Sequence, residues 1–223
     1  MFKAKIICIT FLLNLLVLSV VYAESPGAQW IFNVLLNDKT IGEHRFMVSP
    51  VEDDLLKVES NANMRVKILF FEAFKYTHQA TEIWRDGCLE SIEATTDNNN
   101  DMLTVNGMSQ EQYFIVEATE NKEMIEGCVK SFAYWDLSTI LNAEKLLNSQ
   151  TGEYIEIELI VNDWETVLAA GVEWKAKKYS LVGKDMHIDL WYGPNGEWIK
   201  LRSKLKNGRE LVYDLQHSPA ISI

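Results

Sequence analysis

The chain has 223 residues, 48% of them hydrophobic, with 21 basic against 32 acidic side chains and a formal charge of -11. A chain of that size and composition buries one sizeable core as a single domain. Its negative charge repels phosphate backbones and anionic lipid headgroups, which sets aside sequence-independent nucleic-acid binding and charge-driven docking on membranes.

The chain opens as an export signal. Lys3 and Lys5 form a short basic head, Ile6 to Val21 an apolar run, and Val21-Tyr22-Ala23 offers the small residues a signal peptidase needs. Cleavage after Ala23 is expected, leaving residues 24–223 as a single β-rich domain, periplasmic or secreted. The apolar run of 16 residues is broken by Thr10, Asn14 and Ser19. It falls short of the ~20 that span a bilayer, so no stable membrane anchor is expected after cleavage. Cys8 lies inside the run, where it suggests no lipid attachment. Loss of residues 1–23 removes two lysines and no acids, taking the formal charge from -11 to -13. Only four prolines, no glycine/serine tract and no internal repeat interrupt the remainder.

Apolar residues then recur at every second position. Trp30, Phe32, Val34 and Leu36 form one face of a strand, Asn37 to Thr40 turn it, and His44, Phe46 and Val48 mark the return. Leu56, Val58, Ala62, Met64, Val66 and Ile68 continue the even-numbered series, with Phe74, Tyr76, Ala80 and Trp84 in phase. Period two sustained this far predicts half-buried strands. Asp86-Gly87, Asp97 to Asn100, Asn106-Gly107, Gly193 to Gly196 and Asn207-Gly208 read as turns, because these residues tolerate the positive φ of tight hairpins. Connections this short exclude parallel crossovers. Strands are expected near 29–37, 42–49, 55–68, 72–85, 88–96, 101–106, 110–118, 128–134, 154–162, 172–182, 186–192, 197–205 and 209–215.

The pattern changes once. After Cys128 and the aromatic run Phe132 to Trp135, Asp136 is an N-cap candidate, Leu137, Ile140, Leu141 and Leu147 recur at helical spacing, and Asn148 to Gly152 end the element. The fold class expected is mainly β: a curved antiparallel meander, or half-barrel, packed around one short α-helix near 137–147. Tyr134 and Trp135 then sit where strand becomes helix, closing the end of the core as an architectural corner.

Cys88 and Cys128 survive cleavage, each following a glycine. In an oxidising compartment the pair reads as a disulfide, and no Cys-x-x-Cys spacing points to redox work. His44, His78, His187 and His217 lack a second histidine or cysteine at metal-ligand spacing, so neither a metal nor a cofactor is expected. His44 and His78 could share a sheet face, and His187 and Asp189 would point to one side of a strand as a loose pair. Gly-x-Ser-x-Gly, phosphate-loop and Gly-x-Gly-x-x-Gly motifs are absent, and no catalytic residue is nominated.

At "CVKSFAYWD", "LLNSQTGEY", "LWYGPNGEWIKLRS" and "GRELVYDL" the chain resembles the exported Gram-negative proteins of domain of unknown function family 6134, over nearly all of the mature sequence. The resemblance implies a curved antiparallel sheet like that of the lipoprotein carriers, wrapped around helix. It implies no catalytic residues, and fold analogy does not supply a function.

Three functional readings follow. A periplasmic protein binding an apolar or amphipathic molecule, such as a lipid or lipidated partner, is suggested by 7 Trp, 8 Tyr and 9 Phe on a curved sheet. Tyr134, Trp135 and Trp191 are the groove candidates, although Trp191 and Tyr192 alternate and only one can face inward. A cofactor-independent enzyme in the same cavity is the second reading, and an envelope-assembly protein with an aromatic interaction face the third. An apolar cavity favours the first, convergent buried polar groups the second, a flat exposed apolar patch the third.

Overall fold

The computed structural model describes residues 27–52, 54–68, 71–205 and 208–218. The expected signal segment 1–23 lies outside the described residues. The strands are β1 (Ala28–Leu36), β2 (Lys39–Glu52), β3 (Leu55–Ile68), β4 (Phe71–Arg85), β5 (Cys88–Asn98), β6 (Asp101–Gln110), β7 (Tyr113–Ala118), β8 (Lys122–Glu126), β9 (Lys145–Leu147), β10 (Tyr154–Glu156), β11 (Glu158–Ala169), β12 (Val172–Gly183), β13 (Met186–Tyr192), β14 (Trp198–Lys204) and β15 (Glu210–His217), with one helix, α1 (Leu137–Leu141). Thirteen strands form a single antiparallel sheet in the order β11-β12-β13-β14-β15-β1-β2-β3-β4-β5-β6-β7-β8. It is the expected curved meander, sequential except in one place, where β15 returns to pair with β1 in the middle of the sheet. The two free edges, β8 and β11, are therefore the strands that flank residues 127–157.

Period two explains the inner face. Trp30, Phe32 and Val34 of β1, His44, Phe46 and Val48 of β2, and His78, Ala80, Glu82 and Trp84 of β4 are all buried. Asn37-Asp38, Asp86-Gly87 and Asn99-Asn100 turn the chain with positive φ at both positions, the conformation that matches strand twist. Asn106-Gly107 is different: it lies inside β6, and the turn comes later, at Glu111. Gly107 is small for packing. A Cβ there would stand 2.5 Å from the Phe114 ring.

Residues 127–157 enter the concavity and plug it. Val129, Ala133, Ile140, Leu146 and Leu147 join the main core with Phe32, Trp84, Ile92, Phe114, Leu181 and Leu190. The Cys88–Cys128 disulfide, with Cα atoms 5.2 Å apart, anchors the entry. Leu89 N–H then donates to Val129 O (2.9 Å) and Leu147 N–H to Lys130 O (2.7 Å). Residues 128–134 are not the expected strand: their pairing is limited to an isolated bridge between Ser131 and Leu147. The expected helix is also shorter, five residues instead of running to Leu147. Asp136 caps it, accepting from Ser138 N–H at 2.9 Å. Leu146 and Leu147 are both fully buried and extended, paired with Ile155 and Tyr154. Burying two adjacent leucines on opposite sides suits a strand and not a helix face, so tertiary pairing overrides the periodicity.

A second feature lies outside the sheet. The β11–β12 hairpin continues past the last β12–β13 pair, Lys177↔Tyr192, as a two-stranded arm of residues 165–176. A bulge between Val161 and Trp164 bends it, as bulges do. The arm lies over the outer face: Lys200 Nζ donates to Leu168 O at 3.1 Å, and the Trp191 indole N–H donates to the Glu165 carboxylate.

Candidate functional site

Tyr134 and Trp135 stand at the plug corner, as expected, and the corner is packed. The Tyr134 ring lies 5.5 Å from Trp198, and its carbonyl accepts from Tyr192 Oη at 2.8 Å. Burial pushes the Tyr134 phenol well above its ordinary value. Trp135 meets Trp84 edge to face at 5.9 Å, its indole N–H buried without a partner. Trp191 is not with them. Tyr192 takes the inward position, and Trp191 faces out beneath the arm. The three groove candidates are thus split between the two faces of the sheet, because one residue of register inverts the side a strand residue occupies.

The concavity also holds a buried polar layer. His44 and His78 flank Ala62, which pairs with both across β3. His44 Nε2 meets Ser60 Oγ at 2.7 Å and Nδ1 meets Tyr213 Oη at 3.3 Å. His78 bonds Thr96 Oγ1 at 2.9 Å and Ser149 Oγ of the plug at 3.4 Å. Ser60, His44 and Tyr213 have the outline of a nucleophile, base and orienting group. Burial, however, lowers His44 to about 3 and His78 to about 4. An imidazole so reluctant to take a proton is a poor general base near neutrality. The layer reads as satisfied core. Glu82 is the third buried group, accepting from Trp84 Nε1 (2.9 Å) and Ser131 Oγ (3.0 Å). Burial raises it to about 7 against the lowering effect of both donors.

The outer face under the arm is the better candidate. Register places Ser180, Asp189, Arg202 and Val212 in one cross-strand row, and Lys178, Trp191, Lys200 and Asp214 in the next. Asp189, 2% exposed, accepts from Ser180 Oγ (2.7 Å) and Arg202 Nη2 (2.8 Å), and pairs with Lys178 Nζ (3.1 Å) and His187 Nε2 (3.1 Å). Burial alone would raise its carboxyl, but the bonds from Arg202, Ser180 and Lys178 prevail and hold it well below the ordinary value. The Lys178 ammonium and Arg202 guanidinium lie 5.5 and 5.4 Å from the Trp191 ring centroid, within cation–π range. Next to this network is a cleft of about 460 Å³ between arm and sheet. Leu35, Val167, Leu168, Val212 and Trp191 supply its apolar wall. Asp38, Glu165, Glu210 and Asp214 line it together with Lys200 and Arg202.

Sequence reading finds His187 with Asp189 and misses Lys178, Ser180 and Arg202. The signal is there as same-parity polar residues in three successive strands, legible only once register is known. A further hollow of about 410 Å³, lined by Glu59, Asn61, Gln79 and Thr95 among others, is a mostly polar strand surface. Among the described residues no three His, Cys, Asp or Glu side chains converge as a metal site. No helix among them is long and apolar enough to cross a membrane.

A curved, plugged antiparallel sheet of this kind defines a β-barrel-like protein. A solved structure of that architecture, the β-barrel-like protein of domain of unknown function DUF1849 from Brucella abortus, matches with a TM-score of 0.65 and 10% identity, over 90% of this chain and 100% of that one. At that identity the likeness establishes the fold alone. The model of the family described as a domain of unknown function (DUF6134) matches residues 32–216, and the chain belongs to that family. No curated protein matches it.

Proposed function

We propose that this is an exported periplasmic protein that binds an amphipathic molecule, held outside the sheet in the cleft beneath the β11–β12 arm. The observation that carries the reading is the cleft itself, whose volume of about 460 Å³ falls within the usual range of small-molecule sites and whose walls are divided between apolar and charged side chains. The basic head and apolar run before Ala23 support export, and the Cys88–Cys128 bridge fits an oxidising compartment.

Charge narrows the ligand. Both cations of the cleft are engaged, Lys200 on Leu168 O and Arg202 on Asp189, whereas Asp38, Glu210 and Asp214 form no ion pair among the described residues. The surplus of carboxylates suits a headgroup carrying an ammonium, and the donors that Lys200 and Arg202 keep beyond those two bonds serve one phosphate. A zwitterionic lipid with a phosphoethanolamine headgroup satisfies both, its chain lying along Leu35, Val167 and Val212.

Lysophosphatidylethanolamine is therefore expected to bind the mature protein, and lysophosphatidylglycerol to bind more weakly, in native mass spectrometry and calorimetric titration. Val212 is half-buried on the outer face, so Val212→Trp fills the cleft without disturbing the core. This variant should lose affinity about tenfold or more while unfolding at the wild-type temperature. Equal binding by Val212→Trp, or no binding of either lipid to the wild type, would overturn the reading.

A further inference from the structure

The two free edges of the sheet differ. β8 has five residues, whereas β11 has twelve and carries four exposed large apolar side chains, Ile160, Val161, Trp164 and Leu168. Along β11 the backbone ladder runs to β12 on one side only. On the other side, among the described residues, its carbonyls meet two side chains, Asn162 on Ile160 O at 3.3 Å and Lys200 Nζ on Leu168 O at 3.1 Å. Apart from these two carbonyls, the outward N–H and C=O groups of alternate residues have no backbone partner among the described residues, the template on which a further strand is added.

We infer that β11 is a strand-addition site for an extended segment of another protein, one that alternates basic and apolar residues. Charge decides the occupant. β11 holds Glu158, Asp163 and Glu165 and no lysine, arginine or histidine. A second copy pairing antiparallel through the same strand would set carboxylates against carboxylates, which opposes association. The bulge between Val161 and Trp164 also breaks the long flat register that self-pairing needs. A basic partner meets the opposite condition: its cations offset the three acids, while its apolar residues cover Trp164 and its neighbours. The run 164–167, which stops short of the Leu168 carbonyl held by Lys200, fixes the core of the contact. This site adjoins the cleft, whose wall includes Glu165, Val167 and Leu168, but it engages the edge backbone of β11 and not the sheet residues Trp191 and Val212.

The test is amide hydrogen exchange on the mature protein with two acetylated octapeptides, one alternating lysine and valine, the other glutamate and valine, at concentrations where each is monomeric. The lysine peptide should slow exchange across 158–169 by about tenfold, and the glutamate peptide should leave it unchanged. Trp164→Lys, at an exposed position, should abolish the protection without lowering stability. Val212→Trp should retain it, which separates this site from lipid binding. The inference is overturned by an unprotected β11, by protection from both peptides alike, or by protection that rises with protein concentration alone and so reports a second copy.

Discussion

Replacing Cys88 and Cys128 together by alanine is expected to lower the unfolding free energy by about 4 kcal/mol, the loop-closure entropy of a 40-residue separation. The bridge joins the start of β5 to the first residues of the plug, and the Leu89–Val129 hydrogen bond beside it repeats the connection at 2.9 Å. Without the covalent link the plug is still held by fully buried Ile140, Leu146 and Leu147, so the variant should fold. Urea denaturation without reductant should give a lower midpoint and a steeper slope, because the unlinked unfolded chain exposes more surface. A loss under about 1 kcal/mol would mean that the unfolded chain is already constrained near this point, contrary to the entropic account.

Glu82→Gln should stabilise the protein at pH 8 by about 3 kcal/mol and leave it nearly unchanged at pH 4. Burial raises the carboxyl from 4.5 to about 7, so between those values the folded state binds more protons than the unfolded state. Stability attributable to this group is therefore full below about pH 4.5, falls as pH rises to about 7, and is level beyond it. Glutamine keeps a carbonyl oxygen for Trp84 and Ser131 and removes the buried charge. His44 and His78 act in the opposite sense. Their folded values lie below the ordinary 6.5, so their contribution is lost as pH falls. The Glu82 effect is thus read as the difference between wild type and variant across pH 4 to 8. A difference that does not grow with pH would show that Glu82 is not buried as a titrating carboxyl.

The alternation of Trp30, Phe32 and Val34, and its continuation through Trp84, made the sheet legible because one face is buried and the other wet. Asn37-Asp38 and Asp86-Gly87 marked turns because positive φ selects those residues. The failures have equally local causes. Gly107 resembled a turn but is small for the Phe114 ring. β8 escaped notice because an edge strand of five residues needs little more than Ile125 turned inward. The expected helix runs too far because Leu147 fits a helical period yet pairs with Tyr154 in a strand. The arm is hidden in part because Ala170 takes a positive φ of 51° that alanine does not advertise, so the expected strand 154–162 ends short of it. Trp191 counts as a groove candidate beside Tyr134 and Trp135 because composition and alternation show that one of Trp191 and Tyr192 faces inward without saying which.

Which face the ligand meets can be read from the tryptophans themselves. In a ¹⁵N-indole spectrum of the mature protein, each of the seven tryptophans gives one N–H signal. Lysophosphatidylethanolamine should shift the Trp191 signal, whose N–H rests on Glu165 at the cleft wall, and leave Trp135 and Trp84 in the plugged concavity where they are. Shifts at Trp135 and Trp84 with Trp191 unmoved would place the ligand inside the sheet and contradict the outer cleft as its site.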